Sequence, residues 1–310
     1  MNGAPDTVAD GSAPRPAGYP PLSSDQELFS LGAAEELITR RGLRTPFLRM
    51  VKDGTALPRA RFTSAGGVGA TIDDQVDDAK VRQLFAGGAT AVLQGLHRTW
   101  APINEFVRAL AVELGHSVQA NAYVTPPANQ GFSAHYDVHD VFVVQVHGEK
   151  EWHIHRPVHE HPLRDEPWTS RAGEVREAAA QPADLTLTLR PGDVLYLPRG
   201  FIHSARALGG VTVHLTLGVH SWTRHHLAHA LTSQALATVA KDPWVRSSLD
   251  PGVTVGDTSM VTADIARVRT ELVAALQQIP DADIAAAMAT LAADSMRPGP
   301  TPVFSEGVEQ

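Results

Sequence analysis

Residues 131–155 read GFSAHYDVHDVFVVQVHGEKEWHIH, and this stretch decides both the fold class and the chemistry. Its apolar residues alternate with polar ones, the period of a β-strand, and on a strand side chains two apart leave the same face. His135 and Asp137 are therefore expected to aim at one point. A third group comes from residues 191–203, PGDVLYLPRGFIH, where Gly192, Pro198, Gly200 and His203 are spaced G-x5-P-x-G-x2-H, a turn that delivers a histidine. An isolated H-x-D is common by chance, and the downstream motif with its glycine turn is what gives it weight. Two imidazoles and one carboxylate on one side of an ion are the ligand set of mononuclear non-haem ferrous sites.

Outward from this segment, short runs of period-two alternation continue on both sides: SVQANAYV, DVFVVQV, KEWHIH, DLTLTL, DVLYLP and VTVHLTLGV, between residues 116 and 221. Many short strands with Gly and Pro between them, and no long helix, predict an antiparallel barrel or sandwich. Ahead of it the chain is mixed, with a strand expected near residues 47–51, a helix near 77–85, a strand at 90–96 and a helix over 101–114. Residues 1–24, rich in Pro, Gly, Ala and Ser, are expected to form a disordered leader. Ser24 with Glu27 makes a capping-box pattern opening the ordered part. Three Ala-rich amphipathic helices are expected after Trp222, followed by a Pro-rich tail. The division that results is 1–24, 25–222 and 223–310.

The chain has 310 residues, 26 Lys and Arg against 34 Asp and Glu, a formal charge of −8, and no cysteine. The charge argues against direct nucleic-acid binding. The absence of cysteine excludes disulfides, thiolate nucleophiles and Cys-based metal sites, so a metal must be held by His, Asp or Glu. Of the 15 histidines, 13 lie between His135 and His229. No apolar run approaches the 18 or so residues of a membrane span, and no signal-like start is visible, which gives the expectation of a soluble, cytoplasmic protein.

Lys150 shares a strand face with Trp152 and Ile154. An ammonium among apolar groups is costly to desolvate unless an anion meets it, although a lysine at a strand end can also extend its head to water. Thr212, His214 and Thr216 form a polar stripe whose reverse is wholly apolar, the pattern of a pocket lining. His139 with Asp140 would be a second ligand pair only a few residues from the first. His159, Glu160 and His161 lie in a Pro-flanked loop and are expected to be solvated, and His225, His226 and His229 to pack or face solvent on a helix.

Three segments carry a family resemblance: NAYVTPPANQGFSAHYDVHDVFVVQVHGEKEW, LRPGDVLYLPRGFIHSA and VHLTLGV. The chain resembles the JmjC-type, cupin-fold 2-oxoglutarate oxygenases, in particular the ribosomal oxygenase branch that hydroxylates ribosomal proteins, over roughly residues 25–240. The resemblance implies an α+β fold, a double-stranded β-helix followed by a helical dimerisation region, and hence a homodimer. It implies Fe(II) held by His135, Asp137 and His203, and 2-oxoglutarate whose distal carboxylate meets Lys150, with the Tyr123 hydroxyl nearby; Tyr123 can equally be a core tyrosine bonded to a neighbour. No other catalytic residue is needed. The implied substrate is an arginine or histidine side chain of a basic ribosomal protein. The alternatives are the same chemistry on a biosynthetic peptide or small amino-acid derivative, or a metal cupin enzyme without cosubstrate. Larger members carry dimerisation helices followed by a winged-helix module; in the 88 residues after Trp222 the dimerisation helices are expected and a complete winged helix is not. The insertion from about Val158 to Pro182 is expected to contact substrate.

Overall fold

The computed structural model describes residues 28–296; the proposed leader, the Ser24 capping box and the Pro-rich tail lie outside these residues. The first helix, α1 (Leu31–Arg40), is capped by Ser30, whose hydroxyl accepts from the Ala33 N–H. There follow β1 (Leu48–Lys52), β2 (Thr55–Ala56), a small pair β3 (Thr63–Ser64) and β4 (Gln75–Val76), α2 (Asp78–Ala86), β5 (Thr90–Leu93), a single turn α3 (Leu96–Thr99) and α4 (Ala101–Leu114). The Asp77 carboxylate caps α2 by accepting from Lys80 N–H, and α4 stops at Gly115, whose left-handed φ of 66° only glycine adopts without strain. The expected strand over 90–96 is shorter, because Gly95 turns the chain into α3.

The strand-rich part comprises β6 (Ser117–Thr125), β7 (Asp140–His155), a helix α5 (Ala172–Ala179) inside the insertion, β8 (Leu185–Leu189), β9 (Val194–Leu197) and β10 (Ile202–His220). All pairings are antiparallel, in the order β2-β1-β5-β6-β10-β7-β8, with β9 also on β7. DVFVVQV and KEWHIH, which read as two strands, are one long strand bent at Gly148. Gly148 has φ 66°, and a Cβ there would lie 2.4 Å from the Val211 carbonyl oxygen. The ladder between β7 and β10 slips at the same place, between Leu208 and Val213.

Each long strand therefore serves two sheets. Val141–Val144 pair with β9 and with the last part of β10, while Lys150–Ile154 pair with β8 and the first part of β10. The bend also changes parity: Val141 and Val143, before it, share a core with Trp152 and Ile154, after it, and with Leu189, Leu195 and Leu197. Side chains from the two halves meet inside, as with Trp152, whose ring stands edge-on to His214 at 5.4 Å. Two sheets joined through shared strands make the double-stranded β-helix, in an α+β chain with a helical C-terminal part.

The described residues fall into two compact units, one ending at Ser221 and one beginning at Trp222. The second consists of α6 (Arg224–Val239), α7 (Thr258–Gln278) and α8 (Asp281–Ser295), the three Ala-rich segments of the sequence. Its core is small, formed by Ala235, Val239 and Ala275 with Val245, Leu272, Leu276 and Ile279.

Candidate metal and cosubstrate site

His135 and His203 face each other across a single antiparallel bridge. His135 N–H donates to the His203 carbonyl at 3.1 Å, and His203 N–H to the His135 carbonyl at 2.8 Å. The two side chains thereby leave the same face, with ring centroids 4.5 Å apart. This corrects the expectation that the H-x-D sits within a strand: His135 makes one isolated bridge, Asp137 makes none, and β7 begins only at Asp140. Asp137 is placed instead by its carbonyl, which accepts from Gly200 N–H at 3.0 Å. The ligand atoms of His135, Asp137 and His203 all lie within 4.8 Å of one another, and Asp137 Oδ2 is 3.7 Å from His203 Nε2.

Both rings are oriented by their second nitrogen. Nδ1 of His135 donates to the Ser133 carbonyl at 2.8 Å, and Nδ1 of His203 to the Phe201 carbonyl at 3.0 Å. A proton fixed on Nδ1 leaves Nε2 with its lone pair free, the usual arrangement behind a metal-bound imidazole. Burial pushes the pKa of His203 down to about 4, aided by His135 and opposed by Asp137 and the Phe201 carbonyl. Burial would raise the Asp137 carboxyl, but His203, His135 and His139 outweigh it, so its pKa lies below the ordinary carboxylate value. A neutral imidazole facing an ionised carboxylate is what a divalent cation requires. Among the described residues this is the one cluster of three or more such groups close enough to hold a metal, and it fits Fe(II).

The Trp152 ring, whose centroid is 6.0 Å from that of His203, is 5.4 Å from that of His214, which lies beside Lys150. Lys150 is 3% exposed, so it does not extend to water. Its Nζ donates to Thr125 Oγ1 at 3.0 Å and lies 3.3 Å from Nδ1 of His214. No carboxylate among the described residues is within ion-pair distance, and desolvation pushes its pKa down to about 7. An ammonium has three donors; with two taken, one remains for an anion. His214, fully inside, is held well below the ordinary imidazole pKa by burial, then by the charges of Lys150 and His203.

Tyr123 stacks on His214, with centroids 4.8 Å apart and planes 4° from parallel. Burial raises its hydroxyl to about 12, with Asp137 adding to the shift and Arg49 and a hydrogen bond to Thr216 opposing it. The stripe Thr212, His214, Thr216 lies opposite Thr125, Tyr123 and Asn121 in register, so the two polar faces form one wall. The buried Thr212 Oγ1 has no partner in it.

Sequence reading missed several neighbours. Thr125 could have been found, since it shares a face with Tyr123 two residues before it. Phe132, 5.7 Å from the His135 ring, and Trp168, 6.3 Å from it, could not, because their approach depends on how distant segments pack. The insertion is no bare loop: it carries α5, and its Val158, Trp168, Val175 and Ala178 pack with Tyr136 and Ile202. His159, expected to be solvated, is half-buried and bonded to Glu166 at 3.0 Å, while His161 is exposed. His139 stacks on His220, and Asp140 has partners other than a metal. His226 completes a capping box with Thr223, and His225 and His229 are exposed.

The JmjC domain family matches residues 97–227. Ribosomal oxygenase 1 of Homo sapiens is 39% identical over 171 residues, 55% of this chain and 26% of the relative. The bifunctional lysine-specific demethylase and histidyl-hydroxylase NO66 of Dictyostelium discoideum is 39% identical over 104 residues, 33% of this chain and 20% of the relative. The chain thus spans about a quarter of the length of the curated relatives it matches. Among solved structures, Escherichia coli ribosomal oxygenase YcfD in complex with cobalt and 2-oxoglutarate aligns with 83% of this chain and 61% of its own, at 17% identity and a TM-score of 0.46. The segment that matches the JmjC domain family, residues 97–227, contains His135, Asp137, His203, Lys150 and Tyr123, and the chain is similar there to the ribosomal oxygenases.

Proposed function

We propose that the protein is an Fe(II)- and 2-oxoglutarate-dependent oxygenase that hydroxylates a protein side chain, an arginine or histidine of a ribosomal protein. The observation that carries this reading is the presence of two features linked through contacts of Trp152: a triad of two imidazoles and a carboxylate, and a buried Lys150 with no carboxylate within ion-pair distance among the described residues. When bound, the iron with its keto-acid cosubstrate and O2 supplies the oxidising power for an unactivated C–H bond.

The protein's own residues orient and exclude. His135, Asp137 and His203 would hold the ion from one side, and such a three-ligand set leaves positions for further ligands. Lys150, held by Thr125 and His214, gives its remaining N–H to the distal carboxylate. Tyr123, with its hydroxyl kept protonated, serves as a hydrogen-bond donor beside it. Trp152 packs beside both ends, its ring 6.0 Å from that of His203 and 5.4 Å from that of His214. A cosubstrate-free cupin enzyme would have no need for the buried ammonium, which counts against that reading.

The ribosomal target is supported by the names of the relatives and by the charge of −8, which suits a basic partner. We also infer a homodimer through the helical unit, where Leu236, Val255 and Ile265 are 61%, 72% and 47% exposed. A cytoplasmic location goes with this target; no helix among the described residues is long and apolar enough to cross a membrane. The deciding experiment is succinate release by the Fe(II)-loaded protein with a panel of ribosomal proteins and of unrelated peptides, followed by mass analysis. One added oxygen on a ribosomal arginine or histidine is expected; coupling to none of the ribosomal proteins rejects the target. Sedimentation analysis should show a dimer.

A further inference from the structure

We propose that the Asp140 carboxylate is the clamp that holds the two metal-ligand segments at their working distance, making Asp140 a positioning residue of the metal centre. The inference rests on the reading of His135, Asp137 and His203 as that centre. These ligands come from two stretches far apart in sequence, and their spacing depends on whatever ties the stretch 135–140 to the turn Pro198–Gly200 that leads into His203.

That turn has two N–H groups, since Pro198 has none. Gly200 N–H donates to the Asp137 carbonyl at 3.0 Å, and Arg199 N–H to Asp140 Oδ1 at 2.9 Å. Both donors of the turn are thus bonded to the H-x-D side. The other carboxylate oxygen, Oδ2, accepts from Ser221 Oγ at 2.8 Å, and Asp140 pairs with Val219 in the ladder, so the arm is aimed from behind. The turn has little freedom to settle elsewhere. Gly200 has φ 90°, and a Cβ there would lie 2.8 Å from the His159 carbonyl oxygen and 3.0 Å from Pro162. Among the described residues, the other hydrogen bonds between the two segments, the His135–His203 pair and the Asp137–Gly200 bond, are main chain to main chain. Asp140 adds a hydrogen bond made by a side chain, and a charge-assisted one. Groups behind a metal's ligands set their orientation, and removing one commonly lowers metal affinity by about 10–100-fold.

The test uses Co(II) as probe on the full chain, read by its visible absorption bands and by quenching of Trp152 and Trp168, which flank the ligand rings. Asp140→Ala should bind Co(II) about 10–100-fold more weakly, with altered bands. Asp140→Asn should restore the parent's behaviour, because its amide oxygen still accepts from Arg199 and its amide nitrogen can donate to Ser221. Ser221→Ala, which spares the Arg199 bond, should leave the bands unchanged. Should Asp140→Ala fail to fold, Asp140→Glu takes its place: the arm is one methylene too long, so the bands must shift. Parent-like affinity and bands in Asp140→Ala or Asp140→Glu would overturn the clamp while leaving the metal centre standing. A parent protein that binds no Co(II) would overturn the metal reading and the clamp together.

Discussion

The two ends of the candidate site are built in opposite ways. At the metal end every ligand is fixed from behind: both histidines by Nδ1–H bonds to carbonyls, and Asp137 through its main-chain carbonyl. At the Lys150 end the residues enclose a cation and provide only neutral acceptors, Thr125 and His214. The first end is preorganised before any ligand arrives. The second keeps an imbalance that a carboxylate would relieve, so part of the cost of burying Lys150 is met only in the complex.

The sharpest way to break this comparison is to remove a ligand. Asp137→Ala leaves two imidazoles and no anion, and should weaken Co(II) binding by well over about 100-fold, beyond the range for residues behind the ligands, with succinate formation at background. Lys150→Ala should spare Co(II) binding and cost about 2–5 kcal/mol of 2-oxoglutarate affinity, the usual effect of removing one partner of a buried charge pair. Equal loss of metal binding in both variants would show that the two ends are not separate.

Lys150→Met tests the imbalance itself. The ligand-free protein should gain on the order of 1–4 kcal/mol, as when buried charge gives way to an apolar side chain of similar volume, measured by denaturant unfolding. The sign with pH follows from linkage. The folded pKa of Lys150, about 7, lies below its unfolded value, so the unfolded chain binds more protons between the two. Its penalty on stability is full below pH 7 and fades as pH rises through the window up to 10.5, and the gain in Lys150→Met should fade with it.

For binding the dependence reverses. The carboxylate needs the ammonium, so 2-oxoglutarate affinity should be flat below about pH 7 and fall up to about tenfold per unit above it. Calorimetry at pH 8 in buffers of different ionisation enthalpy should register proton uptake, and Lys150→Arg, which stays charged, should abolish it. The smallest effect is expected at Tyr136, between the two ligands of the H-x-D. Its hydroxyl donates to the Glu166 carbonyl at 3.0 Å, and Tyr136→Phe should cost about 0.5–1.5 kcal/mol of stability with Co(II) affinity unchanged.

The same contrast explains what could be read in the sequence. His135, Asp137 and His203 stand out because a short spacing and a glycine turn are local properties, and the three C-terminal helices because their periodicity is. Lys150 was visible as an anomaly, a cation on an apolar face. That Thr125 and His214, each legible as part of a polar face, meet Lys150 was not visible, because they reach it from other strands and register between strands leaves no mark in either one alone. The helix start at Ser30, the continuity of β7 across Gly148 and the packing of the insertion on Tyr136 were missed for a related reason. Each is decided by what the segment meets in the folded molecule.

The change of parity at Gly148 has a consequence for how such a domain can diverge. His135 and Asp137 precede the bend and Lys150 follows it, so a gain or loss of one residue between Val144 and Glu149 would turn Lys150 toward the opposite side together with the core residues Trp152 and Ile154. The position of Lys150 is therefore inherited together with the core around Trp152, and a change of length at this point should not persist without compensation in the strands that pair with it.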